Sequence, residues 1–140
     1  MRDLFNTIHP VRVLSPAAAV TDNTAQVGQI VDRKGYESVT YLINAGGLAD
    51  ADVTVTALLE HGDDIGGGDM TAVPDDLLLG TEAGASLTFA DDNELRKLGY
   101  VGHKRYTRLT LTPANNAGNL FVSAVAVLAH PAMSPTPTLS

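Results

Sequence analysis

Hydrophobic and polar residues alternate with period two along much of the chain, the spacing of a strand with one buried face. In "YESVTYLIN", Val39, Tyr41 and Ile43 fall on one side and Ser38, Thr40 and Leu42 on the other. "DVTVTALLEH" sends Val53, Val55, Ala57 and Leu59 one way, and Thr54, Thr56, Leu58 and Glu60 the other. "RYTRLTLT" and "NLFVSAVAVLAH" are rich in β-branched or apolar residues. The turn formers of "PANNAGN" separate them, which predicts two neighbouring strands. Val11 to Leu14, bracketed by Pro10 and Pro16, and Val27 to Val31 read as shorter strands. A strand is expected after Asn93, in preference to a helix capped by Asp91 or Asp92, and "SPAAAVTDN" could make one helical turn.

Several short strands joined by turn-rich loops predict an all-β domain, an antiparallel β-sandwich or a jelly-roll-like barrel. Val39, Tyr41, Val53, Val55, Leu109, Leu111, Val125 and Val127 are the expected packing residues. "FVSAVAVLA" is apolar on both sides, so the face with Val125 is alternatively exposed. The stretches 62–73 and 74–86 read as surface loops. Residues 1–10 form an expected N-terminal arm, and 131–140, "PAMSPTPTLS", an extended Pro-rich tail. All 140 residues fit one domain, since a chain of this size buries about two-thirds of its unfolded surface.

Composition narrows the function. The formal net charge of −7 repels phosphate backbones and argues against a nucleic-acid partner. Cysteine is absent, which excludes disulfides, thiolate metal sites and a thiol nucleophile. The N-terminus lacks the apolar core of a signal peptide, and the longest apolar stretch, Leu120 to Ala129, is too short to span a bilayer as a helix. A soluble, non-exported chain with no membrane partner is expected.

Little in the sequence points to catalysis. The four histidines, His9, His61, His103 and His130, lack the short spacing of a zinc site. Neither a nucleophile elbow nor a phosphate or dinucleotide loop is present, so neither an enzyme nor a cofactor is expected. "EHGDDIGGGDM" gathers oxygen ligands, and Asp63, Asp64 and Asp69 are the candidates for a Ca²⁺ ion; the spacing matches no EF-hand, and a solvated, mobile acidic loop is the plainer reading. A carbohydrate-binding module is an alternative class, but without Trp the usual stacking platform is missing.

One stretch runs against the acidic balance. Arg96, Lys97, Lys104, Arg105 and Arg108 are five of the nine Lys and Arg residues. Taking Gly102-His103 as a type II′ hairpin turn sets Tyr100 opposite Arg105, Gly99 opposite Tyr106 and Lys97 opposite Arg108. Leu98, Tyr100, Leu109 and Leu111 then face the core. Lys97, Lys104 and Arg108 surround Tyr106, whose ring covers Gly99. This candidate interface requires carboxylates, from Glu37 or Glu60 of the same chain or from another subunit.

"LGYVGHKRYTRLTL" with "VAVLAHPA", and also "MRDLFNTIHPVRVLSP", "GYESVTYLINAG" and "LEHGDD", resemble a group of small proteins encoded among the head genes of tailed bacteriophages and prophages. The resemblance implies a virion structural protein, made in the bacterial cytoplasm. It would decorate the outer capsid surface as a cement protein, bind the major capsid protein and form a homotrimer, its arm and tail reaching neighbouring subunits. Head-completion and head-fibre roles belong to the same range.

Overall fold

The computed structural model describes residues 2–138; Met1 at the start of the expected arm and residues 139–140 at the end of the tail lie outside the described residues. The strands are β1 (Ile8–Leu14), β2 (Gln26–Val27), β3 (Val31–Asp32), β4 (Tyr36–Leu48), β5 (Thr54–Gly62), β6 (Thr71–Ala72), β7 (Leu78–Leu79), β8 (Leu87–Thr88), β9 (Leu95–Tyr100), β10 (Tyr106–Ala114) and β11 (Leu120–Pro131). One helical turn, α1 (Glu82–Ala85), precedes β8. All ladders are antiparallel. They form a five-stranded sheet in the order β1-β11-β4-β9-β7 and a second sheet in the order β2-β10-β5-β6, with β3 on β10 and β8 on β5. The two pack as a sandwich rather than closing into a barrel.

The alternation read from the sequence sets the core. Val39, Tyr41, Ile43 and Ala45 of β4 and Leu98 and Tyr100 of β9 face Val55, Ala57 and Leu59 of β5, with Val53 just before it, and Leu109 and Leu111 of β10, all of them buried. The Tyr41 hydroxyl hydrogen-bonds Thr107 Oγ1 at 2.6 Å across the interior, and burial pushes its pKa well above that of a free phenol. On β11 the inward residues are Val122, Ala124, Ala126 and Leu128. Val125 and Val127, expected to pack, point outward instead; on a strand apolar on both sides, alternation does not mark which set faces in, and here the set with Leu120, Val122 and Leu128 does.

Two pairings differ from expectation. β9 and β10 do not form a hairpin: residues 101–105 cross from one sheet to the other, with β9 between β4 and β7 and β10 beside β5. Residues 115–119 likewise carry the chain from β10 to β11 across the sandwich, so these strands face rather than neighbour each other. Both connections join runs that share core-facing residues, and periodicity alone cannot separate a hairpin from a crossing between layers.

Residues between β2 and β3 close one side of the sandwich. Gly28 N donates to Leu109 O and Gln29 N to Val13 O, stitching β10 to β1. A Cβ on Gly28 would stand 2.6 Å from both Leu109 O and Val13 Cγ1, so the crossing requires glycine. On the open side, β5 lacks a continuous partner between β8 and β6. Side chains from the α1 turn fill the gap: Ser86 Oγ accepts from Ala57 N at 3.0 Å and Glu82 Oε2 from Leu59 N at 2.7 Å. "SPAAAVTDN" makes no helical turn; it contributes a bridge from Val20 to Leu120.

Among the described residues the terminal segments are bonded to the body rather than extending as free arms. The first strand begins at Ile8, inside the 1–10 span read as an arm, and pairs with β11. The tail folds back on it, with Thr136 N donating to Asn6 O at 3.1 Å and the Thr136 hydroxyl to Ile8 O. Pro10 tolerates this position because β1 is an edge strand.

Candidate interaction surfaces

The outer face of the five-stranded sheet is built by the register. One row across it reads Arg12, Val125, Leu42, Lys97, and the next Pro10, Val127, Thr40, Gly99, Leu79. Ser123, Asn44 and Leu95 form a third. Leu42 is 37% exposed, Val125 40% and Leu95 69%, and Phe121 and Leu79 are exposed as well. Lys97 and Arg12 stand at opposite ends of the central row, leaving an apolar centre with cationic margins. Gly99 is covered by Leu79, whose Cβ would lie 2.9 Å from a Cβ on Gly99, rather than by the Tyr106 ring.

The four expected interface residues are thereby separated. Lys97 lies on this outer face, opposite Leu42 and not opposite Arg108. Arg108 lies on the outer face of the other sheet, opposite Glu60, with Nη2 at 2.9 Å from Glu60 Oε1. Glu60 is thus the intrachain carboxylate that pairs with it, while Glu37 is exposed elsewhere. Tyr106 is buried, with the Arg105 guanidinium 5.0 Å from its ring centroid. Lys104 sits in the crossing connection, and its Nζ reaches Asp63 Oδ2 at 3.1 Å.

The acidic loop is organised by its own backbone. Asp69 accepts from Asp63 N and Asp64 N, and Asp64 from Gly66 N and Gly68 N. These amide bonds hold the Asp69 carboxyl below the usual carboxylate range. Asp63 faces away toward Lys104 and Arg105 N, and its ion pair with Lys104 lowers its pKa. Among the described residues no group of three or more His, Asp or Glu side chains is placed to hold a metal ion. The loop folds over the outer face near Ile30 and Arg108, both close to Gly67.

At the same end of the sandwich, burial creates a polar contact the sequence did not signal. His61 is buried, and Tyr100 Oη lies 2.7 Å from its Nδ1. Lys104 N donates to the same phenol oxygen at 3.1 Å, so the hydroxyl joins β5 to the crossing segment. Burial, reinforced by the charges of Lys104 and His103, lowers the His61 pKa below the ordinary imidazole value.

Beside this contact a cleft of about 360 Å³ opens between the β3–β4 turn and residues 101–105. Asp32 shapes the turn: its Oδ1 accepts from Lys34 N, and both its oxygens bind the Arg105 guanidinium, at 2.9 and 2.8 Å. Gly35, with φ of +89°, closes the turn as Tyr36 N donates to Arg33 O.

No protein-family model matches the sequence, and no curated protein matches it. Among solved structures, similarity extends to PirA, at 12% identity and a TM-score of 0.39, over 93% of this chain and 99% of that one. It extends also to the SPBc2 prophage-derived protein YomS, at 12% identity and a TM-score of 0.44, over 86% and 92%. The CBM32 of AlyQ, solved with 4,5-unsaturated mannuronic acid, matches at 14% identity and a TM-score of 0.39, over 87% and 98%. These structural neighbours thus include a prophage-derived protein and a carbohydrate-binding module. Overlaps this loose assign no activity to the chain. Among the described residues no helix is long and apolar enough to cross a membrane.

Proposed function

We propose that the chain is a structural protein of a tailed-phage virion, which binds the major capsid protein on the outer shell and stabilises it, acting as a homotrimer. The observation that carries this reading is the apolar centre of the five-stranded sheet's outer face, where Leu42, Val125 and Leu95 are presented on paired, rigid strands. Contiguous exposed apolar residues rimmed by polar ones mark association surfaces, because burying them removes apolar area from water at no cost in folding the scaffold. The resemblance of "LGYVGHKRYTRLTL" and "VAVLAHPA" to phage head-gene proteins supplies the partner. Attachment through free terminal arms is not part of this proposal, since Ile8 to Leu14 and Thr136 are bonded within the chain.

The test is to mix purified chain with phage heads assembled without it and to measure co-sedimentation, with light scattering of the free chain for the trimer. Saturable binding to heads is expected. Binding to a soluble glycan with none to heads would replace this reading with that of a carbohydrate-binding module.

A further inference from the structure

The cleft at the end of the sandwich carries positive charge that the chain does not neutralise. Its lining includes Arg33, Lys34, Tyr36, Asp63, His103 and Arg105. Arg105 is taken up by Asp32 through two hydrogen bonds. Asp63 is taken up as well, with Oδ2 on Lys104 Nζ and Oδ1 on Arg105 N. Arg33 and Lys34 remain: among the described residues neither has a carboxylate within salt-bridge distance. Arg33 is half-buried, and its guanidinium is held in place by backbone carbonyls, Nε by that of Lys104 and Nη1 by that of Tyr36. Carbonyls fix its orientation without cancelling its charge, and a guanidinium has more N–H donors than these two acceptors use.

We infer that this cleft binds one carboxylate group of a ligand, received by the free donors of Arg33, with Lys34 as a second cation at its mouth. A pre-oriented guanidinium is the group best matched to a planar carboxylate. The ionised Asp63 in the lining disfavours a dianion, so a phosphate monoester is a poorer fit than a monoanionic carboxylate. Two sources share the required chemistry, a sugar acid and an acidic side chain of a protein. The inference is independent of the proposed virion role, and attachment to heads is not its readout.

Calorimetric titration with sodium D-glucuronate and with a tetraglutamate peptide tests it, with glucose and inorganic phosphate as comparisons. At least one carboxylate probe should bind, glucose should not, and phosphate should bind more weakly than that probe. The tighter of the two carboxylate probes identifies the source. Lys34→Glu should weaken binding by about tenfold or more, the scale of one charge-assisted hydrogen bond lost. Arg33→Lys should do the same, and if that variant fails to fold, Lys34→Glu decides, because the Lys34 side chain supports no other contact described above. Binding by neither carboxylate, phosphate binding more tightly than both, or unchanged affinity in Lys34→Glu would each overturn the assignment.

Discussion

Arg108 and Glu60 stand directly opposite each other on β10 and β5, their side chains 2.9 Å apart and both largely shielded from solvent. The basic residue singled out by its position in a cationic run is thus neutralised within its own sheet. Arg108→Glu sets two carboxylates side by side in a partly desolvated site. It should destabilise the fold by about 1–2 kcal/mol, between the values for exposed and fully buried pairs. The exchange of both residues, Arg108→Glu with Glu60→Arg, should recover most of the loss in urea unfolding. Equal stability of the single variant and the parent would remove the pair from the account.

Glu82 completes a sheet edge with a side chain. Replacing it by Ala leaves the Leu59 amide without its acceptor and should cost about 1–3 kcal/mol. Glu82→Gln keeps a carbonyl oxygen at that place and should cost distinctly less. Hydrogen exchange at Leu59 should quicken in the Ala variant and change little in the Gln variant.

The two faces of the sandwich predict opposite sensitivities. Leu111 is fully buried, and Leu111→Ala should cost about 2–4 kcal/mol. Val125, 40% exposed on the outer face, should tolerate Ala within about 0.5 kcal/mol. Denaturant midpoints of the two variants check this directly, and similar losses would mean that the outer face is packed against something in the free chain.

The buried His61 gives a pH dependence with a definite sign. Its pKa in the folded chain lies below the unfolded value of 6.5, so the unfolded chain takes up the proton first. The stability contributed by the neutral ring is complete above that value and is lost as pH falls through it toward the folded pKa. Acidification from about pH 7.5 to 5.5 should therefore destabilise the parent more than His61→Gln. Thermal melts of both proteins across that window provide the measurement, and parallel curves would contradict it.

Much of the fold was legible because a half-buried strand writes its burial into alternate positions. Val39, Tyr41 and Ile43 on β4, and Val53 just before β5 with Val55, Ala57 and Leu59 along it, lie inward as the pattern requires. The partners of those strands were less legible. Leu98, Tyr100, Leu109 and Leu111 do share the core, but from facing sheets, because the segment after Tyr100 crosses the sandwich where a Gly-His pair suggested a tight turn. With that register gone, Lys97 and Arg108 part company, and the four candidate residues separate into two intrachain ion pairs, Arg108 with Glu60 and Lys104 with Asp63, a buried Tyr106 and an exposed Lys97. The His61–Tyr100 contact and the cleft beside it join residues far apart in sequence and had no local signal. The outer apolar row was partly visible, in a β11 strand apolar on both sides.

The central claim is that the outer face of the five-stranded sheet seats the chain on a phage shell. Leu42→Glu with Val125→Glu places two charges at the centre of that face without touching the core. Occupancy on heads assembled without the chain, read by electron microscopy, tests the claim most directly. The account predicts ordered density for the parent and none for the double variant, which should remain folded by circular dichroism. Density at equal occupancy for both proteins, or for neither, would contradict it.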